Sequence, residues 1–224
     1  MRILLLLLAI AIAVFALLPN LDLTVSRWFY DEARGGFYLL DYPLFVVWYY
    51  LIYVIGTVVG GGLTLFFALK IVKSPLQKKL TRIPYYALSF LMISLLAGPG
   101  VIVHYVFKEN WDRPRPLMIQ EFGGNYHFSP PLIPAGQVGK SFISGHASMG
   151  FYTVAFAFLF SAKYRRRAYC AGLAFGIMSA TARVMQGKHF ISDVTFGALI
   201  TLLVIHLTWK IVQKYRIGKT QIES

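Results

Sequence analysis

The sequence predicts an all-α integral membrane protein: one domain over residues 1–224, a bundle of six transmembrane helices with both termini on the cytoplasmic side. Three observations carry this. Hydrophobic residues make up 57% of the chain and charged residues only 14%, with a mean hydropathy of +0.61, which is too apolar for a soluble domain. Several apolar runs approach the roughly 20 residues that a helix needs to cross a bilayer. Lys and Arg gather in alternate connecting segments.

In chain order, residues 3–18 form a first apolar run behind Arg2. Ala16-Leu17-Leu18-Pro19 lacks a small-x-small cleavage pattern, so this run reads as an uncleaved span. Residues 19–43 mix Trp28-Phe29-Tyr30 with Asp31-Glu32 and read as a headgroup-layer connector without chemistry. Residues 44–69 are the second span, softened by Gly60-Gly61-Gly62, which would permit a close helix contact there. A basic loop over 70–84 leads into a third span at 85–107, and a long polar loop follows from Lys108 to Lys140. The fourth span is expected over 145–162, a tight basic turn over 163–167, the fifth span over 168–184 and the sixth over 190–209.

Six spans put both ends on one side. The segments assigned to that side hold 14 of the 22 Lys and Arg but one acid, Glu223; the opposite segments hold the other 8 basic residues and 8 acids. Such an excess marks the cytoplasmic face. The net charge of +13 is therefore a topology signal, and it leaves a nucleic-acid partner without support. Cys170 is the single cysteine, so the chain has neither a disulfide framework nor a thiol metal cage.

Three short patterns carry candidate chemistry. Lys108-Glu-Asn-Trp-Asp-Arg-Pro-Arg115-Pro116 leaves the third span along a rigid path set by two prolines; Arg115 offers a planar fork for phosphate oxygens and Lys108 a point charge. Ser144-Gly145-His146 sets a hydroxyl, a glycine amide and an imidazole at a helix N-terminus, where free amides and the helix dipole favour an anion. Arg183-x5-His189-x3-Asp193 places a carboxylate one turn beyond an imidazole, where it can hold one ring nitrogen and leave the other free to attack. Each alone has a plainer reading: a headgroup-gripping cluster, a chance tripeptide, a structural His–Asp pair. The six-span layout nevertheless carries Lys108, Arg115, His146, Arg183, His189 and Asp193 to the non-cytoplasmic ends of spans three to six.

Lys-x6-Arg-Pro, Ser-Gly-His and Arg-x5-His-x3-Asp, in that order, resemble the tripartite signature of the type-2 phosphatidic-acid phosphatase superfamily, which also includes the vanadium haloperoxidases. The resemblance implies a six-helix membrane phosphatase with no metal and no cofactor, acting on a phosphorylated membrane lipid. It implies His189 as nucleophile, Asp193 as its orienting partner and His146 as general acid. Lys108, Arg115, Arg183, Ser144 and the Gly145 amide would hold the phosphoryl oxygens. It further implies a bacterial inner-membrane setting with the site facing the periplasm. The loop Glu121-Phe-Gly-Gly…Phe128-Ser-Pro-Pro131 is similar to the lipid A phosphatase branch. The chain departs from the signature at Ile143, where the superfamily usually has Pro, and at Ala182, where it usually has Ser.

Other residues are weighed against this set. His104, one turn before Lys108, is a candidate to tune the pocket but is expected to be packed or interfacial, His206 to face a neighbouring helix and His127 to be solvated. Arg113 and Lys188 adjoin motif residues and are candidates for headgroup contact. The loop from Leu117 to Gly139 is a candidate lid, since long loops are often functional. No obligate protein partner is evident. Phosphatidylglycerophosphate or undecaprenyl-diphosphate phosphatase, a lipid phosphotransferase, and a non-enzymatic lipid-binding protein or transporter are the competing readings. The last would favour internal inverted repeats, which the sequence lacks.

Overall fold

The computed structural model describes residues 1–72 and 84–222, so most of the basic loop expected over 70–84, and Glu223, lie outside the described residues. Helix α1 (Arg2–Leu17) ends where Pro19 restricts Leu18, which leaves the helical region at φ −124, ψ 65. The chain then turns by 87° into α2 (Leu21–Arg27). A two-stranded hairpin follows, β1 (Tyr30–Asp31) with β2 (Gly36–Phe37), and then α3 (Pro43–Ile71). Helix α4 (Tyr85–Leu95) continues over Leu96–Lys108 as a wider π-helix containing Pro99. Irregular chain leads to the short α5 (Gly145–Tyr152) and α6 (Val154–Ala157), then α7 (Ala162–Met185) and α8 (Ile191–Ile222).

Among the described residues, four helical stretches are long and apolar enough to span a membrane: Pro43–Leu69, Tyr85–Lys108, Ala162–Met185 and Ile191–Tyr215. The bent α1–α2 pair makes five if it is one span. The fourth expected span is two short helices, broken where the Thr153 hydroxyl donates to the Gly150 carbonyl at 2.7 Å. The basic turn expected over 163–167 is instead the start of α7; Lys and Arg are good helix formers and nothing there breaks the helix. The glycine run also reads differently. A Cβ at Gly61 or Gly62 would meet nothing within 4 Å, whereas one at Gly150 would reach Ser179 at 2.7 Å and one at Gly176 the Phe151 ring at 2.5 Å. Close helix approach therefore belongs to α5 and α7.

The core forms where α5 and α6 sit amid α4, α7 and α8, with Phe90, Tyr152, Val154 and Ile205 fully buried. Tyr152 stays dry by donating its hydroxyl to the Leu91 carbonyl at 2.6 Å. A second device is polar. The Arg113 guanidinium is fully buried and donates to Asp22 Oδ2 at 2.7 Å, Asp193 Oδ1 at 2.5 Å, the Ser192 hydroxyl at 2.9 Å and the Ser129 carbonyl at 2.8 Å. Asp22 also accepts the Ser192 amide at 2.9 Å and its hydroxyl at 2.6 Å. Residues 19–43 are thus no inert connector: through Asp22 they are pinned to the start of α8. Arg113, expected near the headgroup, is turned inward.

Removing the Asp22 carboxylate leaves Arg113 paired with Asp193 but strands a buried Arg113 N–H and the Ser192 amide without their acceptor, at about 1–3 kcal/mol each. Asp22→Ala is therefore expected to lower the thermal unfolding midpoint of the detergent-purified protein sharply. A midpoint equal to the parent's would show that the pair does not pin the fold.

Candidate active site

Each of the three sequence patterns reaches the site by a local device. In the first, Pro114 and Pro116 hold an extended run, with Arg115 at φ −80, ψ 159. A polyproline-like run turns about a third of a circle per residue, so Arg113 and Arg115 do not share a face. Arg113 goes to the core and Arg115 stays partly exposed.

In the second pattern, Ser144 caps α5: its Oγ accepts the Ala147 amide at 3.3 Å. Ser144 is fully buried, so its oxygen serves as a helix cap while its proton remains available to an acceptor. The Ser144 amide donates to the Asp193 carbonyl at 3.1 Å, which ties this N-terminus to α8. A Cβ built on Gly145 would lie 3.7 Å from Lys108 Nζ, so the first and second patterns meet.

In the third pattern, α7 closes in a Schellman turn. The Lys188 amide donates to the Arg183 carbonyl at 3.0 Å and the Gly187 amide to the Val184 carbonyl at 2.9 Å. Gly187 sits at φ +63 with the Phe37 ring 2.3 Å from where a Cβ would be, so glycine is required twice over. That turn sets the spacing from Arg183 to His189.

His189 is 1% exposed, and its Nδ1 lies 2.8 Å from the Ser141 carbonyl oxygen. A carbonyl only accepts, so Nδ1 carries the proton and Nε2 keeps its lone pair. Asp193 Oδ2 is 3.6 Å from Nδ1, too far for a hydrogen bond. That oxygen accepts instead from the Ser141 hydroxyl at 2.5 Å and the Phe190 amide at 2.8 Å. Asp193 thus bears on the imidazole mainly through Ser141, a residue that sequence reasoning missed. Only its place four residues before Gly145, beside the second pattern, offered a signal. Burial, reinforced by Arg183 and Arg115 and opposed by Asp193, brings the His189 pKa down to about 4.

Cations crowd this end. Arg183, Lys108 and Arg115 all act electrostatically on His146, as does His189. Arg183 is 6% exposed; it donates from Nη1 to Gln186 Oε1 at 2.7 Å, but its buried Nε has no partner among the described residues. An orphaned buried N–H costs about 1–3 kcal/mol, a cost that an incoming oxyanion would remove. Lys188 is held below the usual lysine range by burial and by Arg115 and Arg183, with Asp41 opposing. A cavity of about 650 Å³ is lined by Lys108, Gly145 and His146 together with apolar Ile52, Leu95 and Met149. One wall thus suits a phosphate and the other a hydrocarbon chain.

His104 lines the same cavity, exposed and 3.8 Å from Glu109, while the His127 side chain is solvated. His206 meets Tyr169 of α7 at 3.4 Å, facing a neighbouring helix as expected. The 117–139 loop is packed, with Ile119 and Phe122 buried against Phe37 and Phe190. Ala182 borders an apolar cavity with Trp48 and Met185.

A sequence model of the PAP2 superfamily matches residues 85–217, which include all three patterns. A lipid A 4'-phosphatase of Francisella tularensis subsp. novicida (strain U112) is 32% identical over 201 residues, covering 84% of this chain and 85% of that one. A lipid A 4'-phosphatase of Rhizobium leguminosarum is 39% identical over 114 residues, half of this chain and 48% of its own. In fold, the chain is similar to the crystal structure of a transmembrane PAP2 type phosphatidylglycerolphosphate phosphatase from Bacillus subtilis. That likeness has a TM-score of 0.58 at 19% identity and covers 96% of this chain and 98% of the other. With the family match spanning more than half its length, the chain belongs to the PAP2 superfamily.

Proposed function

We propose that the chain removes the 4'-phosphate of lipid A, at the periplasmic face of a bacterial inner membrane, through a phosphohistidine on His189. That it is a multi-pass membrane lipid phosphatase follows from its family, its relatives and its apolar helices. Lipid A as substrate rests on the relatives' named activity. The periplasmic side rests on the distribution of Lys and Arg, with α1–α2 taken as the first span and α5–α6 as the fourth.

The observation that carries the mechanism is the Nδ1–H of His189 held by the Ser141 carbonyl, which leaves Nε2 as the ring nitrogen with a free lone pair. Lys108, Arg115, Arg183, the Ser144 hydroxyl and the Gly145 amide take the phosphoryl oxygens. Phosphoryl transfer asks mainly for positioning and for fixed charge of this kind. As Nε2 bonds to phosphorus, the P–O bond to the lipid breaks and His146 gives its proton to the departing oxygen. Water then loses a proton to His146 and attacks phosphorus; the P–N bond breaks and phosphate leaves. Bound phosphate supplies the negative charge that protonated His146 needs among these cations.

His189→Ala is expected to lower phosphate release from lipid A by at least about a thousandfold. Release equal to the parent's would sink the enzymatic reading and favour a lipid-binding protein. No metal is drawn on, so turnover should survive a chelator; a loss restored by added divalent ion would count against the mechanism. Because His189 is neutral above its lowered pKa, kcat/KM should hold through mild acid and fall only as the pH approaches about 4. This holds once the substrate's own second ionisation, about 6, is factored out. An enzyme limb remaining near the ordinary histidine value would contradict the assignment.

A further inference from the structure

Tyr49 lies on α3, one turn above Phe45, and none of the three patterns includes it. Its ring nevertheless touches two of their members. The His146 imidazole stacks on it with ring centroids 4.4 Å apart and planes 22° from parallel. The Arg183 guanidinium carbon lies 5.1 Å from the centre of the same ring. The two histidines are held by different means. His189 is fixed by a hydrogen bond to a backbone carbonyl, whereas among the described residues no hydrogen bond holds the His146 ring.

We propose that Tyr49 is a positioning residue: its face fixes the plane of the His146 imidazole so that the ring can hand its proton to the departing lipid oxygen. The inference rests on His146 being the general acid. An aromatic face suits the task for two reasons. It confines an imidazole to one plane, leaving both ring nitrogens free in that plane, and it attracts the imidazolium form that must carry the proton. Arg183 lies against the same ring but is held separately by Gln186, so loss of the ring falls on His146. The phenol oxygen plays no part in this, so phenylalanine should substitute and an aliphatic residue should not.

General-acid help matters most when the leaving oxygen is a poor leaving group, and it is worth about 10²–10⁴ in rate. The test compares the full chain in detergent micelles on lipid A, whose sugar alkoxide needs the proton, and on p-nitrophenyl phosphate, whose phenolate does not. Tyr49→Leu should lose about tenfold or more in kcat on lipid A and less than about threefold on the aryl ester. Tyr49→Phe should restore most of the lipid A rate. The aryl rate also reports that the leucine variant is folded.

Equal losses on both substrates would overturn the proposal in favour of packing or phosphate holding, and a phenylalanine variant as slow as the leucine variant would overturn it in favour of the hydroxyl. His146→Gln, run alongside, separates the layers. If it shows the leaving-group bias and Tyr49→Leu does not, the Tyr49 inference alone falls. If it shows no bias, the reading of His146 as acid falls and takes the inference with it.

Discussion

One carboxylate organises this molecule. Asp193 accepts from the Arg113 guanidinium on one oxygen and from the Ser141 hydroxyl and the Phe190 amide on the other, while its backbone carbonyl accepts the Ser144 amide. Those bonds join the start of α8 to the proline-rich run, to the segment before α5 and to the cap of α5 itself. A buried carboxylate left with fewer partners would cost several kcal/mol, so the three patterns are locked together or not formed at all. Because Asp193 pairs with Arg113 in place, the carboxylate can organise the site without pairing with Lys108, Arg115 or Arg183. Asp22 shares the same guanidinium, which makes the bend between α1 and α2 part of the support.

That arrangement separates two tasks that charge alone would confuse. Arg113 is spent wholly inside the fold. Arg115, Arg183 and Lys108 act on one another electrostatically with Asp193 already taken, a repulsion that a bound anion would relieve. The orphaned Nε of Arg183 belongs to the same imbalance. On the proposed reading, such a site would hold a dianion through fixed cations and amides, and the apolar cavity beside it would take what a lipid carries behind its headgroup.

Much of this was legible in the sequence, because membrane helices announce themselves by length and hydropathy and because the patterned residues sit at helix ends. The Schellman turn around Gly187 explains why Arg183 and His189 can be read as one pattern: the spacing is local geometry. What escaped was contact between distant segments. Nothing in Leu21-Asp22-Leu23 says that its carboxylate will meet residue 113, and an arginine beside a candidate phosphate ligand looks like its companion. Backbone atoms escaped too. The partner of His189 is a carbonyl of Ser141, which no residue-type pattern encodes, while Asp193, which the pattern does encode, stands behind it. Gly60-Gly61-Gly62 permits close packing without requiring it: a Cβ at Gly60 would meet Leu95 at 3.8 Å, while the closest approach went to Gly150 and Gly176, where a serine and a facing ring fill the space. Tyr49 was invisible for a related reason, since one tyrosine among the aromatics of α3 carries no signal of what it stacks on.

In the proposed mechanism a backbone carbonyl fixes which nitrogen of His189 attacks phosphorus. The direct measurement is to quench turnover of labelled substrate under denaturing alkaline conditions and locate the phosphoryl group by peptide mass spectrometry and phosphorus NMR. It is expected on Nε2 of His189, because Nδ1 is committed to Ser141. Phosphoryl on Nδ1, on His146, or on no residue of a chain that is turning over would contradict it.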